Sequence, residues 1–211
     1  MFKAVFWDFG GVLTSSPFHN FNRYERENKL PVDFIRGVNS RNPDDNAWAR
    51  FESDRINADE FDSLFAEESR ALGHNVRGRD VIALLKGEIR QDMVEALKRC
   101  NRHFKTACIT NNVRGAAASG TDDPHPDFTA VFTLFGTVIE SSKIGIRKPD
   151  PEIYRLACEQ VGVEPQDVVY LDDLGINLKP ARAMGMTTLK VGDSGPAIDE
   201  LEKVLEISLQ D

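Results

Sequence analysis

Cysteine is scarce in this chain and offers no pairing pattern: Cys100, Cys108 and Cys158 lie far apart, odd in number and without a CxxC spacing. That excludes a disulfide framework and points to a reducing, cytoplasmic compartment with free thiols. Cys108, inside an apolar run, reads as a small core residue. Histidine is equally thin. His19, His74, His103 and His125 show no metal-ligand spacing, so histidine-based zinc chemistry is not supported. No apolar stretch approaches the ~20 residues of a membrane span. The first residues are interrupted by Asp8 with no small-residue cleavage site after it, which reads as a buried strand rather than a leader. Positive charge is in deficit: 26 Lys and Arg face 34 Asp and Glu, for a net −8. Such a balance argues against a nucleic-acid backbone as partner. An acidic protein that handles phosphates must gather its few cations locally or hold a metal ion.

What is present is ordinary for a soluble globular chain: 211 residues, 41% hydrophobic and 28% charged. That length suits one large domain, or a core carrying a smaller insert. Phe2 to Trp7 is a β-prone run that stops at Asp8-Phe9-Gly10-Gly11. From Thr14 to about Gly87 the pattern is helical, with charges and aromatics interleaved and no convincing strand. Its clearest helix is Ala58 to Leu72, with Asn57 as N-cap. After Gln91, helix and strand alternate. Met93, Ala96, Leu97 and Cys100 make one helical face, and Phe104 to Ile109 a strand ending in Thr110-Asn111. Residues 114–127 read as loop or weak helix, Val131 to Val138 as an apolar run, and Ser141 to Pro151 as a polar turn. A helix through Ile153 and Val161 follows, then a strand from Val168 to Leu171 ending in Asp172-Asp173. Asn177 to Met184 predicts a helix, Thr187 to Val191 a last strand, and Ala197 to Leu205 a closing helix. The alternation predicts an α/β fold: a Rossmann-like, doubly wound parallel sheet formed by residues 1–14 and 89–211, with an α-helical cap inserted at 15–88.

In an open parallel sheet the site lies at the carboxyl ends of the strands. Three polar clusters fall there: Asp8, Thr110-Asn111 and Asp172-Asp173, with Lys148 in the turn before a helix. Singly, each has a plain structural explanation: a turn residue, a helix cap, an acid pair at a helix start, a solvated charge. Together they make a working set. Carboxylates converging in one cleft need a cation, and oxygen-only ligands suit Mg²⁺. A carboxylate so placed can attack phosphorus and split hydrolysis into two easier steps. Thr110 can hold phosphoryl oxygens, and Lys148 supplies a point charge to the phosphoryl group and to Asp8.

The four clusters, in this order, resemble the haloacid dehalogenase-like hydrolases. The motifs are Phe6-Trp7-Asp8-Phe9-Gly10-Gly11-Val12-Leu13, Cys108-Ile109-Thr110-Asn111, Arg147-Lys148-Pro149-Asp150-Pro151 and Tyr170-Leu171-Asp172-Asp173, the last continued by Gly175, Asn177, Ala181 and Gly185. Ile139 to Val191 is especially similar to the N-terminal phosphatase domain of soluble epoxide hydrolases and to bacterial sugar-phosphate phosphatases. The resemblance implies a phosphatase acting on a small phosphate ester through an aspartyl-phosphate on Asp8. It implies Mg²⁺ held by Asp8, the Gly10 carbonyl and Asp173, with Asp172 in a water-mediated or Lys148-paired role. It places Thr110, Asn111, Gly11 and Lys148 around the phosphate. Asn177 is expected to cap the last core helix, with a second part in orienting Asp173.

One departure matters. Many such phosphatases carry a second Asp two residues after the nucleophile as general acid and base, and here that position is Gly10. General acid catalysis contributes about 10²–10⁴-fold. Three readings stay open. The ester has a good leaving group, as in anomeric sugar, aryl or acyl phosphates; a cap residue (His19, Glu52 or Asp54) or a water supplies the proton; or the protein is a weakly active, phosphate-binding relative. Metal-free haloacid dehalogenation is the alternative chemistry, disfavoured by the crowding of acids. Trp48, Phe51 and Phe65 read as cap core, and Arg23, Arg41 and Arg50 as solvated charges.

Overall fold

The structure, a computed structural model, describes residues 1–112 and 126–209. Its first strand, β1 (Ala4–Trp7), is apolar at every position and wholly buried. A strand packed by helices on both faces needs that continuous apolar run. β1 is central. It pairs in parallel with β2 (Lys105–Thr110) on one side and β4 (Val168–Asp172) on the other. β3 (Thr137–Glu140) and β5 (Thr187–Lys190) complete the order β3-β2-β1-β4-β5. The chain builds outward from β1 first to one edge and then to the other, so the crevice of this doubly wound sheet opens at the end of β1.

Alternating side chains feed two cores. Val5 and Trp7 join Met93, Leu97 and Leu201 on one face, from helices α6 (Gln91–Cys100) and α11 (Ser194–Leu205). Ala4 and Phe6 join Ile153, Ala157 and Leu178 on the other, from α9 (Pro151–Val161) and α10 (Gly175–Ala183). Each large apolar side chain so buried contributes roughly 1.5–3 kcal/mol. The limits of α9 are written in its sequence. Asp150 caps its first turn by accepting from the Glu152 N–H, Pro151 stands at its first position, and Gly162 closes it at φ 69°.

Between β1 and α6 the chain forms α1 (Phe18–Glu27), α2 (Phe34–Ser40), α3 (Ala47–Glu52), α4 (Ala58–Arg70) and α5 (Gly78–Ala83). These pack around their own aromatic cluster, in which Phe51 stacks on Phe61 at 4.6 Å beside Phe65. Asn57 caps α4 within a full capping box: its side chain accepts from the Glu60 N–H, and Glu60 accepts from the Asn57 N–H. The two crossings into this helical segment run antiparallel and are bonded to each other, with Thr14 bridging Ile89, Ser15 N–H donating to Glu88, and Arg90 N–H donating to Leu13.

Several expected boundaries shift. The apolar run at 131–138 divides, because its first residues end α7 (Pro126–Phe132) and its last begin β3. The polar turn after β3 opens with a short helix, α8 (Ser141–Ile144), closed by Gly145. The helix expected from Asn177 begins two residues earlier, at Gly175. The segment 114–127, read as loop or weak helix, falls outside the described residues up to 125. No described helix is long and apolar enough to cross a membrane.

Candidate active site

Asp8 is the first residue beyond β1. Its N–H continues the sheet by donating to the Leu171 carbonyl, and its side chain is buried at the sheet's end. Lys148, 1% exposed, reaches in from the loop before α9. Its Nζ lies 2.8 Å from an Asp8 oxygen and 2.8 Å from an Asp172 oxygen. Asp172 ends β4, is fully buried, and is saturated with donors. Besides Lys148 it accepts from the Tyr170 hydroxyl, the Leu174 N–H and the Asn177 amide. Asn177 therefore serves Asp172 and not Asp173. Nor is it a cap, since it is the third residue of α10, whose N-cap position is Leu174 and which has no side-chain cap.

Burial pushes the Asp8 carboxyl up to about 8; Lys148 opposes the rise, while Asp172 and Asp173 add to it. Asp173, half-buried, is raised to about 6 by burial and then by Asp172. Burial disfavours the Lys148 charge, yet Asp172 and Asp8 outweigh it and hold the ammonium above its ordinary range. One lysine thus faces three acids whose oxygens all come within 4.8 Å of one another. The deficit of positive charge is what a cation would fill, and the all-oxygen donor set suits magnesium. The residues present fit that ion.

The turn after Asp8 is shaped by its glycines. Gly11 adopts φ +77°, and a Cβ there would lie 2.2 Å from Asp173 Oδ2, so the acid rests directly on the bare backbone. A Cβ on Gly10 meets nothing within 4 Å. Thr110 ends β2, buried next to this turn. Asn111 brackets the Lys148 peptide: its oxygen accepts from the Lys148 N–H at 2.8 Å and its amide donates to the Lys148 carbonyl at 3.0 Å. The amide expected at the phosphate is engaged in holding the lysine loop.

Above these groups opens a cavity of about 960 Å³. Asp8, Gly10, Thr110, Asn111, Lys148 and Asp173 line it, whereas Gly11 and Asp172 lie outside its lining. Its walls are aromatic, with Phe9, Phe128 and Phe132 from the core and Phe18, Phe21 and Trp48 from the helical insert. Phe9 stacks on Phe132 at 4.3 Å. Trp48 thus divides its surface between the insert's cluster and the cavity, while Phe51 and Phe65 are interior, as their spacing suggests. Among the three proposed proton sources, Glu52 lines the cavity; His19 and Asp54 are exposed and do not.

The model of the haloacid dehalogenase-like hydrolases matches residues 2–185. The chain belongs to that family. Bifunctional epoxide hydrolase 2 of Sus scrofa is 32% identical over 98% of this chain and 39% of its own length, so the chain spans about two-fifths of that relative. Phosphatase MT3486 of Mycobacterium tuberculosis is 30% identical over 93% of this chain and 90% of its own. The structure of the HAD family enzyme bt-2542 of Bacteroides thetaiotaomicron, in complex with magnesium and inorganic phosphate, superposes with a TM-score of 0.64. It is 21% identical and covers 95% of this chain and 99% of its own, a likeness of fold. As a haloacid dehalogenase-like protein the chain is a hydrolase, and its five-stranded parallel core is the expected one.

Two parts of this hydrolase site were not read from the sequence. Tyr170 donates its hydroxyl to Asp172, and the signal was available: residues two apart on a strand face the same way. The Glu52–Arg147 ion pair, 2.7 Å long, joins residues 95 positions apart and left no local signature.

Proposed function

We propose that this hydrolase is a magnesium-dependent phosphatase for small phosphate esters whose alcohol part is apolar, with residues 15–88 as its cap. The observation that carries the reading is the convergence of Asp8, Asp172 and Asp173 around Lys148, with Asp8, Asp173 and Lys148 lining a single cavity. Asp8, Asp173 and the Gly10 carbonyl are the groups that would hold magnesium, which when bound offsets the charge of the nucleophile and of the phosphoryl group.

Asp8 attacks phosphorus with a carboxylate oxygen. The bond to the ester oxygen breaks, that oxygen leaves with the electron pair and takes a proton from solvent water, and the phosphoryl group is left on Asp8. Water then attacks the same phosphorus, releasing phosphate and restoring the carboxylate. Lys148 keeps Asp8 aimed and opposes the rise that burial imposes on its carboxyl, and Thr110 holds phosphoryl oxygens. Gly10 provides no acid, so the leaving oxygen departs best when it is itself a stable anion. An aryl oxygen meets that demand, and the wall of Phe9, Phe18, Phe21, Trp48, Phe128 and Phe132 suits an aryl group better than a bare sugar.

Turnover of naphthyl phosphate, p-nitrophenyl phosphate, sugar 1-phosphates and sugar 6-phosphates, with magnesium and with EDTA, tests this. Aryl esters should lead sugar 6-phosphates by at least about tenfold in kcat/KM, a difference of roughly 1.4 kcal/mol in transition-state stabilisation. EDTA and Asp8→Asn should each abolish turnover. Sugar 6-phosphates as the best substrates would overturn the apolar class. Metal-independent release of halide from 2-haloacids would overturn the phosphatase.

A further inference from the structure

Glu52 is the last residue of α3, in the insert, yet apart from Trp48 of its own helix its partners are core residues. Its carboxylate accepts from Arg147 Nε at 2.7 Å and lies 3.4 Å from the Asn111 amide, and its backbone carbonyl accepts from the Ser141 hydroxyl at 2.7 Å. Arg147 also donates to the Pro43 carbonyl of the insert at 3.0 Å. The Glu52 side chain is 10% exposed and that of Arg147 23%. Arg147 immediately precedes Lys148, and Asn111 brackets the Lys148 peptide on both sides.

We propose that Glu52 is a positioning residue: through Arg147 and Asn111, the insert holds the Lys148 backbone and so fixes its ammonium between Asp8 and Asp172. Two separate clamps then act on this lysine, the acids on its head and Glu52 on its loop. With the Arg147 guanidinium bonded to it, Glu52 is an acceptor, which makes it unsuited to protonate a leaving group even though burial raises its carboxyl. The contact also determines how the insert moves. Lifting α3 away from the core breaks a largely buried ion pair and releases the lysine loop, so an opening that moved α3 would also free Lys148. This inference rests on the phosphatase reading for its kinetic consequence only.

The test uses Glu52→Gln, Arg147→Met and the double variant in the full chain, with p-nitrophenyl phosphate and magnesium. Each single change should lower kcat by about 10–100-fold, the scale of an ~1 Å misplacement of a catalytic group, with KM within about threefold. The double variant should lose no more than the worse single one, because both act through one contact. Hydrogen exchange read by NMR gives a result free of turnover: the Lys148 amide should exchange about tenfold faster in Glu52→Gln, an opening easier by roughly 1.4 kcal/mol, while Phe6 and Leu171 keep their protection. Losses that multiply in the double variant, an unchanged kcat, or a uniform rise in exchange across the sheet would each overturn the proposal. If the wild-type protein hydrolyses no phosphate ester, the function falls, and the Lys148 amide still decides the positioning.

Discussion

Asp8 and Asp172 share one ammonium: Lys148 Nζ stands 2.8 Å from each, and no side chain of the trio is more than a tenth exposed. Lys148→Met leaves two buried carboxylates facing each other. Removing one partner of a buried ion pair costs about 3–5 kcal/mol, so the urea midpoint should fall by that equivalent. Loss of a preorganised charge at the phosphoryl group should lower kcat by about 10²–10³-fold. Added magnesium should restore part of the stability and none of the rate.

Gly10 has room for a side chain, since a Cβ there touches nothing within 4 Å. Gly10→Asp should therefore fold normally and introduce an acid two residues past the nucleophile. Turnover of alkyl phosphates should rise by about tenfold or more, within the range of general acid catalysis. Aryl phosphates need little protonation and should gain less. Equal gains for both classes, or none, would defeat the leaving-group account.

The neighbouring glycine behaves oppositely. A Cβ on Gly11 would lie 2.2 Å from Asp173 Oδ2, on a backbone at φ +77°. Gly11→Ala should push Asp173 aside and cost about 1–3 kcal/mol in backbone strain. Magnesium affinity, measured by calorimetry, should fall by at least about tenfold, which is roughly 1.4 kcal/mol.

Without a cation, burial pushes the Asp8 carboxyl up to about 8 and the Asp173 carboxyl up to about 6. Both are raised, so at pH 7 the metal-free site retains a proton, mainly on Asp8, that a cation must displace. Magnesium binding should release close to one proton at pH 7, read from calorimetry in buffers of different ionisation enthalpy. Apparent affinity should climb as pH rises toward about 8 and then level off. An affinity independent of pH between 6 and 8 would show that Asp8 is already ionised.

Far from the cavity, Asp62 of α4 is buried and bonded by Arg77 and Arg79 side chains and by the Arg79 N–H. The hydrogen bonds from Arg77 lead in holding its carboxyl well below the usual carboxylate range. A folded pKa below the unfolded one means stability that is complete above about pH 4 and lost as pH falls below it. Asp62→Asn should cost about 1.5–3 kcal/mol at pH 7, the scale of charge-assisted hydrogen bonds. The variant's stability should also vary less with pH below 4.

The parts of the fold legible in the sequence are those set by local pattern. β1 and β4 are apolar runs that stop at acids, and Asn57 with Glu60 three residues on announces the start of α4. The position of the site was legible too, because polar residues ending parallel strands share one edge of the sheet. Which acid does what was less so. Asp172 and Asp173 are adjacent where β4 ends; only their surroundings make one the saturated partner of Lys148 and leave the other open to the cavity. Sequence position alone therefore does not tell that the Asn177 amide bonds Asp172 and not Asp173. Glu52 and Arg147 meet through tertiary packing alone, which no periodicity records.

The antiparallel bridge between Thr14 and Ile89 has a consequence for how such a protein can change over time. The chain leaves the sheet and returns to it through adjacent, mutually bonded residues, so everything between them is the tip of one enlarged hairpin. Lengthening a closed loop is inexpensive, about 0.6 kcal/mol for each doubling. The sheet and the four acid and lysine positions at its edge therefore feel little of the tip's size. A lineage could replace the insert's share of the aromatic wall, Phe18, Phe21 and Trp48, and with it the molecules admitted, while Asp8 kept its place. The contacts of Glu52 and Pro43 with Arg147, Asn111 and Ser141 would have to be found again.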